Sequence, residues 1–146
     1  MAFDPKQLKT QADALQYMKN AERLGREDLR RAGFRRYCEL AGVENTEDLL
    51  SDVWKAIAAF ELLMTERNGK TTRASRTRQK LKKDGPIKLV ADLTLRPEPS
   101  DGFKTLVENG MADLMFEHIA LRHPNQFGED VIAAARQRLS EVGVTV

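Results

Sequence analysis

Apolar residues recur along the chain at three- and four-residue spacing and almost nowhere in strict alternation, so the pattern predicts helices. Asp4-Pro5 predicts a first start, because an aspartate oxygen takes free amide protons and proline at the first helical position loses no hydrogen bond. Leu8, Ala12, Leu15 and Met18 carry that face until Gly25. A second helix is expected over Glu27 to Ala41, with Phe34, Tyr37, Cys38 and Ala41 on one face and Gly42 as its stop. Asn45 is expected to start a third, with Asp48 as its capping-box partner. Its stripe is Leu50, Val53, Trp54, Ile57, Phe60 or Glu61, and Met64, the strongest amphipathic signal in the chain.

Asn68-Gly69 marks a turn. A very polar helix is expected from about Thr72 to Asp84, ended by Gly85-Pro86, and a short helix over Ile87 to Leu95. Residues 96–101 read as a linker, because Pro97 and Pro99 cannot both sit inside a helix. Three short helices should follow. Ser100 or Asp101 caps the first, whose face is Phe103, Leu106 and Val107, and Gly110 ends it. Met111, Leu114, Met115, His118 and Ile119 carry the second to His123-Pro124. Val131, Ile132, Ala135 and Leu139 form the face of the third, stopped by Gly143. With no fixed-period repeat and no hairpin signature, the expected class is all-α. The expected organisation is a helical domain over 1–95, the linker 96–101, and a C-terminal helical segment, 102–146, packed on the first domain.

Composition narrows the function classes. A chain of 146 residues is too short for a barrel or a full dinucleotide-binding fold. Cys38 is the sole cysteine, so no intrachain disulfide or cysteine-based zinc cluster can form, and a buried hydrophobic role is expected for it. Met-Ala-Phe-Asp-Pro-Lys lacks the layout of a signal peptide, and the longest uncharged apolar run, Ala56 to Phe60, is too short to span a bilayer. These features lead to an expectation of a cytoplasmic protein with no membrane partner.

Charge changes the picture most. Lysine and arginine total 24 against 22 acids, a formal net charge of only +2. Yet Glu66 to Lys83 holds eight basic residues and one acid, a net charge of +7. Lys19 to Arg36 holds seven against three, or +4, which leaves −9 on the rest of the chain. On a helix Arg73, Arg76, Lys80 and Lys83 fall on one side, while Ala74, Thr77 and Leu81 form a thin anchor stripe. Like charges at this spacing repel, and a polyanion would offset the repulsion.

Hydroxyls interleave with the cations. Thr71 or Thr72 is expected to cap the polar helix, leaving its first-turn amides to a phosphate oxygen. Arginine forks suit phosphate or guanine. A helix-turn-helix reading fits, with Ile57 to Thr65 as the supporting helix, Glu66 to Lys70 as the turn and Thr72 to Lys83 as the recognition helix, so that Thr72, Arg73, Ser75 and Arg76 face the bases. A solvated face or an unstructured basic loop fits the same composition. A surface role unrelated to ligand is the better reading of the Lys19 to Arg36 cluster.

Other motif fragments carry less. Gly69-Lys70-Thr71 resembles the end of a phosphate-binding loop, but Met64 stands where the earlier glycine belongs. Lys82-Lys83-Asp84-Gly85 matches a nucleotidyltransferase fragment and is better explained as a helix end. His118 and His123 are too far apart around a helix to share a metal. His118 is expected at the core boundary, and His123 against free carbonyls at a helix end. Trp54 and the Met111/Met115 pair are expected to pack in the core.

The resulting expectation is a small, non-catalytic, all-α nucleic-acid-binding protein, with DNA as the partner and no cofactor or metal. Arg67, Lys70, Arg73, Arg76, Arg78, Lys80 and Lys83 supply phosphate or base contacts; Thr71, Thr72 and Ser75 anchor the backbone. A homodimer through the C-terminal helices is part of the same expectation. Two alternatives stand beside it: a helical interaction or regulatory module docking an acidic partner, and a small metal-dependent nuclease using Glu61 or Glu66.

Overall fold

Every regular element among the described residues is helical, as the spacing of apolar positions predicts. The computed structural model describes residues 4–43, 45, 47–98 and 101–144, the side chain of Asp101 excepted. The helices are α1 (Gln11–Arg23), α2 (Glu27–Gly42), α3 (Asp48–Asn68), α4 (Ser75–Thr94), α5 (Asp101–Glu108), α6 (Phe116–Arg122) and α7 (Glu129–Glu141). Short 3-10 turns lie at Pro5–Gln7, Ala112–Leu114 and Pro124–Gln126. The expected cap at Ser100 or Asp101 falls on side chains outside the described ones.

Asp4 accepts from the Lys6 amide at 3.0 Å, but it caps only the 3-10 turn. The chain then extends through Leu8, whose carbonyl takes two hydrogen bonds from Arg36, at 3.0 and 2.9 Å. Helix α1 starts only after Thr10, whose hydroxyl accepts from the Asp13 amide at 3.0 Å. Its inward face is therefore Ala14, Met18 and Ala21, and the expected Ala12 is exposed.

Helix α2 ends at Gly42 as expected, but Gly42 is its last helical residue rather than a left-handed cap, and it stands at a close approach to α3. A Cβ there would stand 2.6 Å from the Ser51 hydroxyl, which donates to the Gly42 carbonyl at 2.9 Å. Helix α3 begins at Asp48 and has no side-chain cap, so the expected Asn45 cap is absent. Nor is α3 a one-sided helix. It packs against α2, α4, α5 and α6, and Leu49, Val53, Ala56, Ile57, Ala58, Ala59 and Leu62 are all buried. Three alanines in four positions let neighbouring helices approach from different sides. Leu50, Trp54, Phe60 and Met64 are only half-buried.

Helix α4 bends where Asp84-Gly85-Pro86 predicts an end. Gly85 takes φ 85° and ψ 170°, a region open to glycine alone, and Pro86 begins the second half of the helix. Two core clusters draw on both sides of residues 96–101. Phe34, Cys38 and Leu62 meet Phe103, Leu106, Met115 and Leu139 in one. Val53, Ile57 and Leu89 meet Ile119, Val131 and Ala135 in the other. Cys38 and both Met111 and Met115 are buried, and burial pushes the Cys38 thiol far above its ordinary range. No helix of the described residues is long and apolar enough to cross a membrane.

Candidate nucleic-acid interface

The basic segment begins where α3 stops. Gly69 takes φ 71° and donates to the Thr65 carbonyl at 2.9 Å, closing α3 as Asn68-Gly69 predicts. Thr65 then organises the turn. Its hydroxyl accepts from the Thr72 amide at 2.9 Å and donates to the Thr72 carbonyl at 3.3 Å. The Thr72 hydroxyl accepts from the Asn68 amide group at 3.1 Å and donates to the Lys70 carbonyl at 3.0 Å. Thr72 is thus committed to the turn and half-buried.

That commitment corrects the expected start of the polar helix. Helix α4 begins at Ser75, and neither Thr71 nor Thr72 caps it. A carboxylate from α3 fills the role instead: Glu61 Oε2 accepts from the Ala74 amide at 2.8 Å. A negative group at the amino end of α4 also suits the helix dipole. One amide expected to face a phosphate is therefore already satisfied within the chain.

Glu61 also holds Arg78, which donates from Nε at 2.6 Å and from Nη2 at 2.8 Å. The Arg78 guanidinium lies 5.2 Å from the centre of the Trp54 ring, a cation–π distance. Its hydrogen bonds to Glu61 hold it charged, above its ordinary value. Lys80 reaches across the bend in α4, 2.9 Å from Asp84 and 2.7 Å from Asp92. Its hydrogen bonds to Asp92 and Asp84 raise its ammonium, and Lys80 in turn lowers both carboxyls. Two expected contact residues, Arg78 and Lys80, therefore fasten α4 to α3 and one half of α4 to the other.

The remaining cations face solvent. Arg67, Lys70, Arg73, Arg76, Lys82 and Lys83 are exposed, as are Thr71 and Ser75. None of these six cations has an acidic partner among the described residues. The expected anchor stripe does turn inward: Ala74 and Leu81 are buried and Thr77 is half-buried. Arg73 precedes the helix rather than sharing its face with Lys80 and Lys83.

Arg73, Arg76 and Lys80 nonetheless line one groove of about 410 Å³, joined there by Arg96. Its floor is apolar, formed by Phe60, Met64, Leu89 and Leu93, and among the described residues no carboxylate lines it. Arg96 is the residue that sequence reasoning missed. It belongs to the stretch read as a linker, and only the fold returns it to the amino end of α4. Arg138 of α7 fixes that stretch by donating to the carbonyls of Leu93, at 3.5 Å, and Arg96. Three guanidinium groups with no acidic partner among the described residues, around this groove, suit phosphate oxygens.

No family model, curated protein or solved structure matches this chain. The groove's chemistry therefore carries the functional reading by itself.

The other candidates resolve differently. Glu66 is exposed and pairs through Oε1 with Arg30 at 3.1 Å, Glu61 is occupied as described, and among the described residues no three acidic, histidine or cysteine side chains come together to hold a metal. Burial raises the Glu66 carboxyl. His123 does not meet free carbonyls through its ring; Nε2 lies 2.8 Å from Asp52 Oδ2 on α3. His118 is half-buried, its Nδ1 2.6 Å from Arg122 Nη1, and burial lowers its pKa from the ordinary value. His123 thus ties the end of α6 to α3, while His118 stays within α6.

Proposed function

We propose that this chain binds nucleic acid, with DNA as the first partner to test, through the turn before α4 and the groove beside it. The observation that carries the reading is the carboxylate-free groove edged by Arg73, Arg76 and Arg96. Exposed Arg67, Lys70, Lys82 and Lys83 extend the cationic surface along the chain on both sides. Phosphate contact is the main term in this reading, because the unpaired cations spread over turn and helix rather than along one helical face. The helix-turn-helix belongs to the same proposal, with α3 as the supporting helix, α4 as the recognition helix and Arg73, Ser75 and Arg76 as base-facing candidates; Thr72, held by Thr65 and Asn68, is not one of them. A cytoplasmic location and a homodimer belong to the same proposal, the dimer being a common way for a short basic surface to gain affinity.

The test is a titration of labelled duplex and single-stranded DNA and RNA at several salt concentrations. Affinity should fall linearly on a log–log plot against salt, as counterion release requires. No binding at low salt overturns the reading. The apolar floor of the groove favours one second reading, an acidic peptide with apolar side chains. Such a peptide would compete poorly with nucleic acid if the first reading holds and would displace it if the second does.

A further inference from the structure

A second cleft, of about 340 Å³, shares Arg73 with the cationic groove. It opens between α1, α2, α3 and the 71–73 turn, and Tyr37, Trp54, Arg78 and Thr71 are among its lining residues. Its volume falls in the range of small-ligand sites, which begins near about 300 Å³. Both aromatic residues are half-buried, so each keeps surface outside the core. The Arg78 guanidinium lies over the Trp54 ring, and the two hydrogen bonds it donates to Glu61 fix its plane. Glu61 engages Nε and Nη2 only, so Arg78 Nη1 has no partner among the described residues. Arg73 at the rim has no acidic partner there either. Burial pushes the Tyr37 phenol above its ordinary value, so it remains a neutral hydroxyl near Glu61, Arg78 and Arg73.

Flat π-surfaces and a fixed guanidinium plane beside a run of free cations are the parts that single strands require: stacking for the base and positive charge for the backbone. A duplex offers the charge but keeps its base faces covered by their neighbours. We propose that this cleft takes one unpaired nucleobase of a single strand, stacked among Tyr37, Trp54 and Arg78, while Arg73 holds the adjoining phosphate. The inference deepens the nucleic-acid reading above and rests on it.

Trp54 is the only tryptophan of the chain, so its emission reports the cleft directly. The probes are a thymidine oligonucleotide of about twelve residues, an abasic oligonucleotide of equal length, the thymidine duplex and the free mononucleotide. The thymidine strand should change Trp54 emission and bind about tenfold more tightly than the abasic strand, the order expected for base stacking on an aromatic platform. The duplex should leave the emission unchanged. Tyr37→Leu keeps apolar bulk, so the variant should melt as the parent does and bind the abasic strand equally, yet lose most of the preference for bases. Equal affinity for both strands with unmoved emission overturns the base cleft and leaves the phosphate groove standing. A mononucleotide that binds as tightly as the strand overturns the strand as occupant. Failure of every polymer to bind at low salt overturns the cleft and the groove reading together.

Discussion

The chain holds two basic regions, and they behave differently. In and beside α2, Arg26 pairs with Asp28, Arg30 with Glu27 and Glu66, Arg31 with Glu27, Arg35 with Asp113 and Arg36 with Glu39. In the turn and α4, Arg67, Lys70, Arg73, Arg76, Lys82 and Lys83 have no acidic partner among the described residues. Only Arg78 and Lys80 of that segment are tied down. Positive charge in a sequence is thus not the same as positive charge open to a ligand. From Arg26 to Arg36 the first region's arginines are held in ion pairs, two of which, Arg30–Glu66 and Arg35–Asp113, link elements; most of the second region's cations are left facing water, where each repels the next.

The comparison breaks or holds on a pair of variant sets. Replacing Arg73, Arg76 and Arg96 together with alanine should weaken nucleic-acid binding on the order of a hundredfold at low salt and flatten the salt slope by about three. Stability should change by no more than about 0.5 kcal/mol, because these side chains are exposed and unpaired. Replacing Arg26 and Arg31 should do neither. Equal losses of binding from both sets would show that total charge, not its availability, governs the interaction.

A second variant probes the tied part of the basic segment. Glu61→Gln removes the charge that holds Arg78 and takes the Ala74 amide, so urea unfolding should show a loss of about 1–3 kcal/mol, the usual cost of charged hydrogen bonds. Binding should fall less than in the triple variant, through looser placement of the turn. A Glu61→Gln protein as stable as the parent would remove the claim that Arg78 is structural.

These contrasts show which parts could be read from residues alone. Local signals worked where neighbours in sequence decide the outcome. Gly69 and Gly143 end helices as expected, Gly85 bends α4, and Val131, Ala135 and Leu139 form the buried face of α7. The central helix was harder. A single apolar stripe suits one partner surface, whereas α3 meets several, so Ala56, Ala58 and Ala59 are buried beside the larger residues. The start of α4 shifted because Thr72 found closer partners in Thr65 and Asn68 than a helix cap would offer. Arg96 joined the groove, and Asp113 reached Arg35, only through tertiary contacts that no local pattern records.

The smallest expected effect separates the two regions by pH. Burial is the largest single influence on Asp113 and pushes its carboxyl up, but two hydrogen bonds from Arg35, at 2.7 and 3.0 Å, together with the charges of Arg35 and Arg122 and a backbone hydrogen bond, hold it below its ordinary value. A carboxyl with a folded pKa below its unfolded one contributes stability above the unfolded value, near about 4, and loses it as pH falls through the folded value. Asp113 is 42% exposed, so solvent screening keeps the contribution under about 1 kcal/mol. Arg35→Ala should therefore lower the melting temperature slightly at pH 6, and the gap to the parent should close as the pH is taken toward 3. The triple variant at Arg73, Arg76 and Arg96 should instead run parallel to the parent over the same range, because those cations hold no carboxylate down. A converging curve for the triple variant would mean that an acid partners the groove after all, and the distinction between engaged and open charge would fail at its smallest margin.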